Sequence, residues 1–219
     1  MAYRLKCLAL FSLMFPLAFA NAAPDSSAPY QAGTHYEVLD PAVRTSDPKR
    51  IEVVEIFWYG CSHCYNFEPL VKAWHEKQDA DVNFVHSPAI WRPVMALHAR
   101  AYYTAKALKV LDKVHLPIFE AMNLKRNKLA SKGAIAKIFI EQGIDEATFN
   151  KTFDSFGVTS ATKQADARQR NYHTQGTPEV VVNGKYRINA RMAGSHQGLL
   201  KVADYLVEME RKNNSAASN

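Results

Sequence analysis

The most specific chemistry in the sequence lies in Cys61-Ser62-His63-Cys64. Thiols two residues apart can exchange a disulfide or hold half of a zinc site. Structural zinc takes four ligands, and the chain offers neither a second Cys pair nor a His-x₃₋₅-His segment to complete a tetrahedron around these two. A disulfide across so short a loop constrains little of the unfolded chain, so a purely structural bond has little to gain. Thiol exchange is the reading that uses the pair. His63, between the cysteines, is within reach of a thiolate and would stabilise it when protonated. A stabilised thiolate lowers the free energy of the dithiol relative to the disulfide, so the disulfide becomes a stronger oxidant. One unit of thiol pKa is worth ~1.4 kcal/mol, or ~30 mV for a two-electron couple.

The flanking sequence supplies the elements that must position these groups. Ile51 to Tyr59 is a β-branched and aromatic run with little alternation, the pattern of a central strand covered on both faces, and Gly60 ends it. Beyond it, Cys64, Phe67, Val71 and Trp74 recur at helical spacing, with Pro69 expected to kink the helix. A strand-glycine-helix junction puts Cys61 at the helix N-terminus, where free N–H groups and the macrodipole favour negative charge. Cys64, one turn further, falls on the apolar side. Glu55 is anomalous, an acid within a run that otherwise reads as buried; the alternative is an edge-strand Glu reaching water.

Further strands are expected at His35–Leu39, Asp81–His86, Glu179–Val182 and Tyr186–Asn189, the last two joined by the hairpin signal Asn183-Gly184. Between Trp91 and Arg170 only helical periods occur, in Met95–Leu108, Val114–Met122, Ser131–Gln142, Asp145–Phe153 and, at the junction, Ser160–Tyr172. Phe139, Phe149, Phe153 and Phe156 read as the core of this block. A last amphipathic helix covers Ser195–Arg211. The order is that of a mixed sheet flanked by helices and interrupted once: residues 23–88 and 159–212 form the two parts of one α/β unit, 89–158 the helical insertion and 213–219 a flexible tail.

Residues 1–22 combine Arg4 and Lys6, an apolar stretch of about a dozen residues and a small-residue end, which is an export signal and too short for the ~20 residues of a membrane span. The Ala-, Pro- and Ser-rich stretch to Thr34 reads as a mobile leader. Removing the signal takes away Arg4, Lys6 and Cys7, so the formal charge falls from +6 to +4 (27 less 2 basic residues against 21 acidic) and only Cys61 and Cys64 remain. An exported chain lives where disulfides persist. The 27 basic residues are scattered, with a single dense cluster at Lys125, Arg126 and Lys128, which excludes a nucleic-acid-binding stripe.

Phe57 to Tyr65, Thr177-Pro178, the Asn183-Gly184 hairpin and the helical insertion together resemble the DsbA family of thiol:disulfide oxidoreductases over essentially the whole exported chain. The resemblance implies an α/β, thioredoxin-like fold with an inserted all-helical domain. It also implies a cis peptide before Pro178, a loop at Thr177 and Pro178 that binds extended substrate, and a low pKa at Cys61. Glu55 stands where the family places a buried acid that relays protons for the resolving cysteine; of the lysine that often accompanies it there is no counterpart, and His86 is the one candidate in that strand. Two positions depart from the commonest pattern: Ser62 replaces a proline, and Thr177 stands where valine is frequent. A Ser62 hydroxyl can cap the helix or donate to the thiolate.

The function implied is a periplasmic dithiol oxidase, expected as a monomer, which passes its Cys61–Cys64 disulfide to reduced, newly exported proteins. A DsbB-type, quinone-linked membrane enzyme would reoxidise it. No metal or organic cofactor is implied, since sulfur carries the electrons. The alternatives are a disulfide isomerase or reductase, for which no dimerisation domain is evident, and a non-catalytic peptide-binding chaperone.

Overall fold

In the computed structural model, residues 28–217 are described; the export signal assigned to 1–22 lies outside the described residues. The apolar run after Arg50 becomes β2 (Ile51–Phe57), with all seven residues buried. It is an inner strand of a five-stranded sheet with β1 (Glu37–Val38), β3 (Val82–Pro88), β4 (Glu179–Val182) and β5 (Tyr186–Asn189), in the order β1-β5-β4-β2-β3. Strands β2 and β3 are parallel and the other pairs antiparallel. Strand β3 does not stop at His86. It runs through Pro88, opposite Phe57, because an edge strand tolerates a residue without an N–H.

Helix α1 (Ser62–His75) starts two residues before Cys64 and buries Cys64, Phe67, Val71 and Trp74; it remains one helix through Pro69. It packs with the last helix, α8 (His196–Ala217), against one face of the sheet, around Val53, Val180, Val182, Leu199, Val202 and Leu206. The short α7 (Ala190–Ala193), which periodicity did not reveal, is capped by Asn189 and ends at Gly194 in a left-handed conformation. Asn183 and Gly184 both take positive φ at the β4–β5 turn, and a Cβ on Gly184 would lie 1.9 Å from the Val43 carbonyl oxygen, so the turn needs glycine there.

The inserted block holds α2 (Pro93–Ala107), α3 (Leu111–Asn123), α4 (Lys132–Glu141) and α5 (Glu146–Phe153), and α6 (Phe156–Asn171) leads back to the sheet. Ser131, Asp145 and Ser155 cap α4, α5 and α6 by accepting from backbone N–H groups. Phe139, Phe149 and Phe153 form the expected core, but Phe156 does not: it is 87% exposed. With Ser155 as cap, Phe156 falls on the outer side of the first turn, and Val158 is the residue turned inward. Helix α6 thus begins at Phe156, before the boundary drawn at 158/159. The chain also departs from expectation at both ends. Tyr30 packs edge-on against Tyr205 at 5.4 Å, within the presumed leader, and α8 continues to Ala217, within the presumed tail. No helix among the described residues is long and apolar enough to cross a membrane.

Candidate active site

The turn between β2 and α1 is held from the helical block. Trp58 donates from Nε1 to His98 Nδ1 at 3.0 Å, and Asn123 donates to the Tyr59 carbonyl at 2.8 Å. A Cβ on Gly60 would lie 2.4 Å from the pinned Trp58 ring, so the residue before the first cysteine has to be glycine. Cys61 takes an extended conformation as the N-cap residue of α1, and its carbonyl accepts the Tyr65 N–H at 3.0 Å. Ser62 is exposed and caps nothing.

The two thiols have opposite surroundings. Cys61 is pulled down to about 5, foremost by hydrogen bonding from the Cys64 thiol, against the opposing effect of partial burial, and further by the Thr177 side chain and the backbone N–H groups of Cys64 and His63. Burial pushes Cys64, which is wholly inaccessible, well above the usual thiol range, and the neighbouring Cys61 adds to this. At neutral pH the dithiol therefore holds one thiolate and one thiol. The His63 group that holds the thiolate is its backbone N–H; the exposed imidazole lies against His196, ring centroids 5.8 Å apart. The Thr177 carbonyl is 3.3 Å from Cys61 Sγ and accepts from the thiol when it is protonated. The Thr177–Pro178 peptide is cis. This loop, Gln175, Arg191 and His196 border a shallow groove of about 330 Å³ beside His63. No local pattern marked Arg191 or His196; only the return of α7 and α8 to the loop brings them there.

Glu55 is completely buried on an inner strand, not at an edge. Its register partner on β3 is His86, whose Nε2 lies 3.2 Å from Glu55 Oε2 and 3.6 Å from Glu68 Oε2. His115 Nε2 is 3.4 Å from the same Glu68 oxygen, and its Nδ1 is 2.7 Å from the Tyr59 hydroxyl. Burial raises Glu55, an effect that the attraction of nearby His86 only partly offsets. For Glu68, burial is outweighed by the attraction of the neighbouring His115 and His86, and its carboxyl lies well below the usual range. For His86, burial is likewise outweighed by Glu55 and Glu68, raising it to about 9, whereas burial prevails at His115 and lowers it. The charge of Glu55 is felt at Cys64. Sequence reasoning found Glu55 and named His86; it missed Glu68 and His115. Glu68 sits one helical turn beyond Cys64, a spacing that was available as a signal.

Residues 52–200 match the family described as DSBA-like thioredoxin domain. The thiol:disulfide interchange protein DsbA of Pseudomonas aeruginosa is 41% identical over 182 residues, 83% of this chain and 86% of that protein. The protein of the same name from Pseudomonas syringae pv. tomato is 39% identical over 88% of this chain and 90% of its own length. Among solved structures, Pseudomonas aeruginosa DsbA superposes with a TM-score of 0.81 at 40% identity, covering 87% of this chain and 97% of that one. The oxidoreductase DsbA from Xylella fastidiosa gives 0.77 at 31% identity, covering 83% and 97%.

Proposed function

The chain belongs to the DSBA-like thioredoxin domain family and is a thiol:disulfide oxidoreductase with a thioredoxin-like fold, and on that premise we propose that it donates its Cys61–Cys64 disulfide to reduced polypeptides exported to the periplasm. The observation that carries the direction of exchange is the split between the two thiols: a Cys61 held near 5 beside a Cys64 held far above the ordinary value. A substrate thiolate attacks Cys61 Sγ, the Cys61–Cys64 bond breaks, and its electron pair stays on Cys64. That sulfur, strongly basic in its buried site, takes up a proton, and buried Glu55 is the group placed to relay it. A second substrate thiolate then attacks the substrate sulfur of the mixed disulfide. Cys61 leaves readily because it is a weak base. The substrate gains a disulfide and the protein retains the two electrons as its dithiol.

Thr177 and Pro178 would bind the substrate chain in extended form beside Cys61, and the groove at His196 would take the residues that follow. His63 and Ser62, exposed at the first turn of α1, adjust the reactivity of Cys61. A quinone-linked membrane oxidase of the DsbB type would accept the electrons, with export directed by residues 1–22 and no organic cofactor needed for exchange.

Two measurements test this reading. A Cys64→Ala variant expressed in an exporting bacterium is expected to accumulate exported proteins covalently trapped on Cys61; their absence would refute exchange with such substrates. Equilibration with glutathione is expected to give a potential well above that of thioredoxin, about −270 mV. A value as low as thioredoxin's would reverse the proposed direction and favour a reductase.

A further inference from the structure

Behind α1, away from the exposed side of Cys61, a groove of about 830 Å³ opens to solvent between α1, β3 and α3. On its wall stand Glu68 from α1, His86 from β3 and His115 from α3. One ligand atom from each lies within 4.8 Å of the others. We propose that these three side chains bind a divalent transition cation of the zinc type, with water from the groove as the fourth ligand.

The distances fit. Bonds of about 2.0–2.1 Å to a tetrahedral ion place its ligands about 3.3–3.5 Å apart. The Glu68 oxygen is 3.6 Å from His86 Nε2 and 3.4 Å from His115 Nε2. A second observation separates this group from a fortuitous cluster of charges. His115 is 7% exposed, and neither its Nε2 nor that of His86 has a hydrogen bond of acceptable geometry, although both lie within 3.6 Å of the same Glu68 oxygen and His86 Nε2 lies 3.2 Å from Glu55 as well. Buried polar atoms are rarely left so. A cation between them would satisfy all three at once. The other nitrogen of the His115 ring is held by the Tyr59 hydroxyl, the kind of outer contact that fixes a ligating imidazole in place. Two imidazoles and one carboxylate suit zinc better than the hard cations magnesium and calcium, which prefer all-oxygen sites. The open side of the groove supplies the entry path and room for water. Glu55, 3.2 Å from His86 Nε2, lies just outside the group.

The test uses untagged protein with Cys61 and Cys64 oxidised to the disulfide, so that the thiols cannot ligate. Calorimetric titration with Zn²⁺ alone is expected to show one ion per chain, bound at least tenfold more weakly by Glu68→Gln and by His115→Gln. Because a variant at buried His115 can fail to fold, ring signals of the wild-type protein are followed in parallel by histidine-selective NMR. Those of His86 and His115 are expected to move together on addition of one equivalent. The proposal is overturned if the oxidised protein binds no Zn²⁺ at micromolar concentration, if Glu68→Gln, correctly folded, binds it undiminished, or if the exposed His75 responds while the rings of His86 and His115 do not. Since exchange with substrates is not measured, failure here leaves the oxidase reading standing, and failure of that reading leaves this one.

Discussion

Two of the regions in which this protein buries charge are built differently. Beside the β4–β5 hairpin, Arg187 is 3% exposed and pairs with Glu179 and Glu37 while donating to the His173 carbonyl. Glu179 accepts the N–H groups of Gln175 and Gly176 at 3.2 and 3.0 Å, and Glu210 accepts from Asn183, Lys185 and Tyr186. Only Arg187 Nε lacks a partner there. Behind Cys64, neither oxygen of Glu55 has a hydrogen bond, nor does the Nε2 of His86 or His115. The first region answers nearly every charge with a donor or acceptor and so fastens the segment that carries Thr177. The second pairs its carboxylates only with histidines at 3.2–3.6 Å and without a well-formed hydrogen bond, the pattern expected where protons or ions have to come and go.

The largest effect that would sharpen this contrast is at Arg187. Arg187→Met leaves Glu179 buried without its cation, and urea denaturation is expected to show a loss of about 3–5 kcal/mol, the usual consequence of removing one partner of a buried pair. The titration of Cys61 in the folded protein should be nearly unchanged, because no charge of the hairpin region is among the groups that set it. A loss below about 1 kcal/mol would break the comparison, since the hairpin cluster would then be no more structural than the other.

Next in size is the pH dependence of the dithiol. Cys61 is depressed from an unfolded value of about 8.5 to about 5 in the folded protein. The sign follows from the proton count. Between these two values the unfolded chain binds more protons, so this contribution to the stability of the reduced form is complete above the unfolded value. It shrinks as pH falls and is gone below about 5. At pH 7 it amounts to about 2–3 kcal/mol. The disulfide form has no such group. The stability of reduced relative to oxidised protein is therefore expected to drop by that amount between pH 7 and pH 4, as read from urea curves of both forms. A constant difference across this range would show that Cys61 is an ordinary thiol.

Much of the site was legible because it is local. Strand, glycine, cysteine pair and helix follow one another within some two dozen residues, and burial of Cys64 could be read from its spacing with Phe67, Val71 and Trp74. The Asn183-Gly184 turn and the helical insertion announced themselves in the same way. What escaped depends on residues far apart in the chain. Glu68, His86 and His115 come from α1, β3 and α3, and no periodicity within one element says that they meet. His196 reaches the substrate side only because α7, itself too short to show a period, redirects the chain into α8. Phe156 was misplaced for a different reason. A phenylalanine near other phenylalanines reads as core, but the cap at Ser155 set the helical phase and turned it outward.

A third test concerns a smaller effect. Glu55→Gln keeps the volume and removes a fully buried carboxylate whose partner His86 still has Glu68, so relief of the buried charge should offset the lost attraction and folding stability at pH 7 is expected to change by less than about 1 kcal/mol. Oxidation of a reduced peptide should nevertheless slow, since Cys64 loses the neighbouring proton carrier. A clear loss of stability with an unchanged rate would place Glu55 with the structural acids of the hairpin.

The smallest effect divides the forces on Cys61 itself. The backbone N–H groups of His63 and Cys64 can be removed only by proline, which would also alter the helix, and Cys64 takes part in the reaction, so the Thr177 hydroxyl is the contributor that can be deleted cleanly. Thr177→Val retains the branched shape and the carbonyl that faces Cys61 Sγ at 3.3 Å. Losing one hydrogen bond among several should raise the Cys61 pKa by less than one unit, read from thiolate absorbance against pH. By the same linkage the disulfide becomes less oxidising by under ~30 mV, read against glutathione. A fall in the pKa, or a more oxidising disulfide, would mean that the threonine hydroxyl accepts from the Cys61 thiol rather than donating to its thiolate.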